Sequence, residues 1–130
     1  MDLKLKGQRA LITGATKGIG RAIAETLADE GCDLAICSRN AEEVAAAVES
    51  LSSKGVKVTG QGLDIGDGDA FKSWITSAAE ELGGLDIIVS NVSGSNAPGD
   101  EGWINQFNLN VLSAVHAVEA AMPCLEASDN

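Results

Sequence analysis

Short apolar runs alternate with stretches of helical period along the 130 residues. Ala10 to Ile12 is an apolar run that stops at Gly14, and from about Gly18 a helix-period segment places Ile19, Ile23 and Leu27 on one face before closing near Gly31. Asp33 to Ser38 reads as a second, buried strand. Asn40 is placed to cap a helix from Ala41 to about Lys54, with Gly55 as its stop. From Val56 to Leu63 apolar Val56 and Val58 alternate with Lys57, Thr59 and Gln61, which predicts a half-exposed edge strand. Asp67 to Leu82 carries Phe71, Trp74, Ile75, Ala78, Ala79 and Leu82 at helical spacing, and Gly83-Gly84 ends it. Leu85 to Val89, apolar save for Asp86, supplies a fourth strand. A loop over residues 95–99 leads into a long helix from Asp100 toward Pro123, which is expected to bend or end it.

Strands alternating with helices imply right-handed parallel crossovers, hence an α/β chain with a doubly wound parallel sheet and a ligand site at the carboxyl ends of the strands. The last helix adds a second expectation. Ile104, Phe107, Val111, Val115, Val118, Met122 and Leu125 form one stripe, and Asn110, Ala114, Ala117 and Ala121 form another. Two faces therefore want cover, and the small-residue stripe is the one that invites close approach by another helix. Its alternative is an alanine-rich face of high helix propensity turned to water.

Composition narrows the class. A 45% hydrophobic share with 22% charged residues is that of a globular chain, and 130 residues suit one domain. No apolar run approaches the roughly 20 residues of a membrane span, and the first residues lack a signal-peptide core, so a cytoplasmic protein is expected. Cys32, Cys37 and Cys124 have neither metal-ligand spacing nor an even count for a disulfide framework, and read as small buried thiols with no metal site. Nine basic against nineteen acidic residues give a net charge of -10, which repels nucleic acid and anionic membranes.

The chemistry gathers where the first strand meets the first helix. Gly14, Gly18 and Gly20 mark a tight turn whose three needs are a backbone angle other residues resist, close approach of a ligand, and close helix-to-strand packing. The helix start aims N–H groups and a positive dipole end above that turn, a natural seat for phosphate, although a glycine turn with no ligand has the same local pattern. Lys17 precedes Gly18 and no Gly-Lys-Ser/Thr follows, which excludes a Walker loop.

With Thr13 in front, this spacing resembles the Thr-Gly-x-x-x-Gly-x-Gly signature of the classical short-chain dehydrogenases/reductases. Leu63-Asp64-Ile65, Leu85 to Asn91, and Asp100 to Asn110 with Trp103 and Phe107 between, match further segments in the family's order. The resemblance implies a Rossmann-type sheet of strand order 3-2-1-4, incomplete here. It also implies a nicotinamide cofactor held by Gly14, Thr16, Lys17, Gly18, Ile19 and Gly20, and an adenine contact at Asp64 and Ile65, Asp64 having a turn role as its alternative. Asn91, Val92 and Ser93 fall on the family's Asn-Asn-Ala-Gly segment, where Ser90 and Val92 are variants and Gly94 comes one residue late. Asn110 falls on the helical asparagine that holds a water in the family's proton relay, or else satisfies a helix or interface.

At the end of the second strand stand Ser38, Arg39 and Asn40, where a carboxylate would favour the ribose diol of NAD. A guanidinium holds a phosphate bidentately, and Lys17 adds a second cation, so NADP is the expected cofactor. The same arginine argues against a methyltransferase using S-adenosylmethionine. His116 reads as a surface or interface side chain.

The family's catalytic serine and Tyr-x-x-x-Lys pair follow the next strand, and the 130 residues contain no tyrosine. The expectation is therefore the N-terminal half of an NADP-dependent oxidoreductase acting on a small carbonyl or alcohol substrate, inactive by itself, with Leu85 to Val89 left as an open sheet edge and the 100–125 helix in a homo-oligomer interface. The alternative is a truncated, non-enzymatic module that binds nucleotide or pairs with another subunit.

Overall fold

A computed structural model of the protein describes residues 1–94 and 96–130. Ser95, within the expected 95–99 loop, lies outside the described residues. The elements run β1 (Arg9–Thr13), α1 (Gly18–Asp29), β2 (Asp33–Ser38), α2 (Ala41–Ser52), β3 (Val58–Gly62), α3 (Gly68–Leu82), β4 (Ile87–Val89), α4 (Gly99–Gln106), a π-helical segment (Phe107–Leu112) and α5 (Ser113–Glu126). All strand pairs are parallel, in the order β3-β2-β1-β4. Ala10 is level with Leu34 of β2 on one side and with Ile87 of β4 on the other.

Strand alternation divides the core. Leu11, Ala35 and Cys37 face α3 and α5, where they join Phe71, Trp74, Ile75, Ala117 and Ala121. Ala10, Ile12, Leu34 and Ile36 face the opposite way and join Ala24 and Ala28 of α1 and Val44, Ala47 and Leu51 of α2. Both faces of β1 and β2 are thus buried, which is why their sequences are continuous apolar runs.

Helix starts follow their caps. Asn40 Oδ1 accepts from the N–H groups of Glu42 and Glu43 at 3.0 and 3.2 Å, and Asp67 Oδ1 accepts from Ala70 at 3.1 Å. Gly83, in the left-handed region at φ +82°, closes α3.

Three sequence expectations are corrected. On α1 the buried face is Gly20, Ala24 and Ala28; Ile23 and Leu27 are half-buried and Ile19 is 74% exposed. Small residues win there because the helix backbone lies close against the sheet. On the last helix the small-residue stripe does meet another helix, but it is α3 of the same chain and not a partner's. Ala117 and Ala121 are buried against the α3 residues and Ala114 is half-buried, with Ser113 buried beside them, while Asn110 is exposed and Ile104, Phe107, Val111, Val115, Val118 and Met122 are each at least 40% exposed. Lys72 of α3 and Glu119 of α5 clasp this helix pair at 2.8 Å, and the half-buried ring of His116 packs over Gly68, so His116 serves a contact within the chain. Finally, Pro123 does not end the helix, which continues to Glu126, because a proline near the end of a helix removes only one bond.

The strand margins agree with the pattern. β3 is mostly half-exposed, and Ile87, Ile88 and Val89 of β4, apolar enough for a central strand, are only half-buried at the other margin.

Candidate functional site

The carboxyl ends of β1, β2 and β4 open onto one groove. Gly14 turns the chain out of β1 at φ +66°, and its N–H donates to Cys37 O at 2.9 Å, tying the turn to the end of β2. Gly18, at φ +61°, has no atom within 4 Å of where a Cβ would stand, so the space above the turn is open there. Gly20 is the opposite case: a Cβ would lie 2.1 Å from Gly14 O and 2.5 Å from Asn91 Nδ2. The three glycines thus divide the work of backbone angle, open approach and close packing.

A second brace comes from β4. The Asn91 N–H donates to Thr13 Oγ1 at 2.9 Å, and Asn91 Nδ2 donates to Gly14 O at 3.3 Å. Asn91 stands behind the groove and fixes the turn, whereas Val92, Ser93 and Gly94 form part of the lining.

The groove has a volume of about 300 Å³ and is lined by Gly14, Thr16, Lys17, Cys37, Ser38, Arg39, Leu63, Asp64, Ile65, Val92, Ser93, Gly94, Asn105 and Leu109. It continues into a more open cavity of about 740 Å³ between Lys17, Ser38, Arg39 and the start of α2, with Asn40, Glu42 and Glu43 on its wall. Lys17 and Arg39 are both exposed, and among the described residues neither is in an ion pair. Asn40 gives its Oδ1 to the α2 cap, leaving the amide Nδ2 as its side-chain donor. Asp64 Oδ1 accepts from Gly66 N at 2.8 Å in a local turn, so this residue both makes the turn and lines the groove. Ile65, 5% exposed, supplies an apolar floor. Gly18, Ile19 and Gly20 lie in the first turn of α1 rather than in the lining, and Lys17, the residue before that helix, makes no side-chain cap.

Asn110 lies apart, in the π-helical segment. Its Oδ1 accepts from Gly94 N at 3.1 Å, and its Nδ2 donates to Gln106 Oε1 at 2.6 Å; Gln106 Nε2 in turn donates to Asn96 Oδ1 at 2.9 Å. This chain of amides ties the loop after β4 to the helix. Beside it a separate depression of about 580 Å³ is lined by Trp103, Gln106, Phe107, Asn110 and Val111 with the 96–99 loop.

Glu43 and Gln106 escaped sequence reasoning. Glu43 was findable as the third residue after a capping Asn40, a position that folds back over the β1 turn. Gln106 was findable as the residue four before Asn110 on a helix. Cys37, the cysteine in the groove lining, is held protonated, because burial pushes its thiol up to about 12. Among the described residues no cluster of His, Cys, Asp and Glu is arranged to hold a metal, and no helix is long and apolar enough to cross a membrane.

A sequence model of the short chain dehydrogenase family matches residues 8–130. The chain belongs to this family. It is 33% identical over 128 residues to an isoepoxydon dehydrogenase of Penicillium expansum, a match that covers 95% of this chain and 49% of that protein. L-Sorbose reductase from Gluconobacter frateurii, solved with NADPH and L-sorbose, superposes with a TM-score of 0.92 at 34% identity, over 98% of this chain and 51% of that one. Carveol dehydrogenase from Mycobacterium avium, solved with NAD, gives 0.85 at 27% identity over 94% and 50%. The chain spans about half the length of the relatives it matches. Family members solved with either nicotinamide nucleotide therefore share this oxidoreductase fold.

Proposed function

We propose that residues 1–130 form a single nucleotide-binding domain that supplies the cofactor half of an NADP-dependent oxidoreductase, one that moves a hydride between NADPH and a small carbonyl or alcohol. The observation that carries this reading is the pair Lys17 and Arg39, exposed, outside any ion pair among the described residues, and walling one cavity where β2 ends without a carboxylate. The donor set suits a dinucleotide bearing a 2′-phosphate. In this reading the first turn of α1 at Gly18, Ile19 and Gly20 holds the pyrophosphate, and Lys17, Ser38, Arg39 and Asn40 Nδ2 hold the 2′-phosphate. Asp64 and Ile65 border the adenine, Val92, Ser93 and Gly14 flank the path toward the nicotinamide, and Thr16 stands beside Ser38 at the edge of the 2′-phosphate cavity. The cofactor, when bound, supplies the hydride; the chain's own contribution is to bind and orient it, with Asn110 holding Gly94 and Gln106 holding Asn96.

A homo-oligomer goes with this reading, formed through the exposed apolar stripe from Ile104 to Met122 rather than through the alanines. Mixing the protein with NADPH and following the emission of the reduced nicotinamide tests the core of the reading. A saturable shift at micromolar to sub-millimolar protein supports it, and emission that stays unchanged over that range removes it.

A further inference from the structure

The cavity that carries Lys17 and Arg39 also carries two carboxylates, Glu42 and Glu43. Their N–H groups are both held by Asn40 Oδ1, which fixes the first turn of α2 against the end of β2. Glu43 reaches across to β1: its Oε2 lies 3.3 Å from Thr16 Oγ1, and Thr16 Oγ1 lies 3.3 Å from Ser38 Oγ. A threonine hydroxyl has one proton to give. When Thr16 gives it to Glu43, Thr16 has no proton left for Ser38 or for an incoming anion. The charge of the cavity wall is also balanced, two cations against two carboxylates, and not the doubly positive seat that Lys17 and Arg39 suggest by themselves.

We infer that Glu43 is a specificity-determining residue that lowers the chain's selection for a 2′-phosphate, by placing a negative charge in the receiving cavity and by holding the Thr16 proton. The inference rests on the phosphate-binding reading above and adds what limits its strength. Glu42 shares the wall, but among the described residues its carboxylate accepts no hydrogen bond from the β1 turn, so the two residues separate a positional effect from a simple change of net charge. Both are exposed, which keeps the effect to a few-fold, as expected for a screened charge.

The test is calorimetric titration of the 130-residue protein with adenosine 2′,5′-bisphosphate and with adenosine 5′-monophosphate, at one fixed salt concentration. The wild type, Glu43→Gln and Glu42→Gln are compared, each first checked for a native circular dichroism spectrum. Glu43→Gln is expected to improve the ratio of bisphosphate to monophosphate affinity by about five-fold, and Glu42→Gln by less than about two-fold. An unchanged ratio in Glu43→Gln, or an equal gain in Glu42→Gln, overturns the role of Glu43 while leaving the nucleotide site in place. Failure of the wild type and both variants to bind either probe removes the nucleotide reading and this inference together.

Discussion

Asp86 closes on Arg9 from the base of the sheet, its Oδ2 accepting from Arg9 Nε at 2.9 Å and from the Arg9 backbone N–H at 2.8 Å, while Oδ1 accepts from Nη2 at 3.0 Å. The carboxylate is almost fully buried, and Ser128 Oγ adds a bond to Oδ1 at 2.5 Å, so the residue also fastens the segment after α5. The Arg9 guanidinium, helped by the Ser128 hydroxyl and the Arg9 N–H, holds the Asp86 carboxyl well below the usual carboxylate range, against the opposing effect of burial. A carboxyl whose folded pKa is lowered stabilises the fold above its ordinary pKa of about 4 and loses that contribution as pH falls below it. Urea unfolding followed by tryptophan emission should thus show stability falling steeply from about pH 4 downward. Asp86→Asn should cost about 3 kcal/mol at pH 7 and flatten that acid limb, since it leaves Arg9 without its counter-charge.

Gly20→Ala tests the packing of the turn. A methyl group 2.1 Å from Gly14 O forces the helix away from β1, at a cost of about 2 kcal/mol or more and a lower melting temperature. Gly7→Ala, where the added Cβ meets no atom within 4 Å though φ is +82°, should cost only about 1 kcal/mol.

The two stripes of the last helix should respond in opposite ways. Val115→Glu lies on the exposed stripe and should leave the melt nearly unchanged while weakening self-association in sedimentation. Ala117→Leu lies on the buried stripe against α3 and should lower stability by about 1–3 kcal/mol whether or not the chain assembles. If Val115→Glu leaves the sedimentation profile unaltered, the stripe is not the interface.

The contrast between these stripes shows where sequence reasoning stopped. Periodicity located the last helix and two faces wanting cover, but not that α3 of the same chain covers the alanines, because which helix lies close is a tertiary fact. Ile19 misled for the same reason, standing exposed beside a buried Gly20. The strands, the half-exposed margin at β3 and the glycine turn were legible, since apolar runs, their alternation and a Gly-x-x-x-Gly-x-Gly spacing report burial and backbone angle directly, whereas the strand order and the open margin at β4 followed from the family resemblance. Lys17 was legible from the glycine turn and Ser38 and Arg39 from the end of the second strand, and the structure sets the three around one cavity. Glu43 was not, because its place depends on how the Asn40 cap turns α2 back over Thr16. Asn91 was legible as a site residue, but its position behind the groove emerges only from the bond to Gly14 O.

Positioned general acid catalysis is worth roughly 10²- to 10⁴-fold, and these 130 residues have no tyrosine to provide it in the family's manner. NADPH absorbance should accordingly stay constant when this stretch alone is mixed with simple aldehydes and ketones. Steady oxidation by the pure protein would mean that another of its side chains delivers the proton.

The claim on which the functional reading depends is that Arg39 recognises the 2′-phosphate. Calorimetric titration of the wild type and Arg39→Ala with NADPH and with NADH tests it most directly. Loss of a charge-assisted phosphate contact of about 1.5–3 kcal/mol should weaken NADPH by roughly ten-fold or more and leave NADH within about two-fold. An equal loss for both nucleotides, or no loss for either, would contradict it.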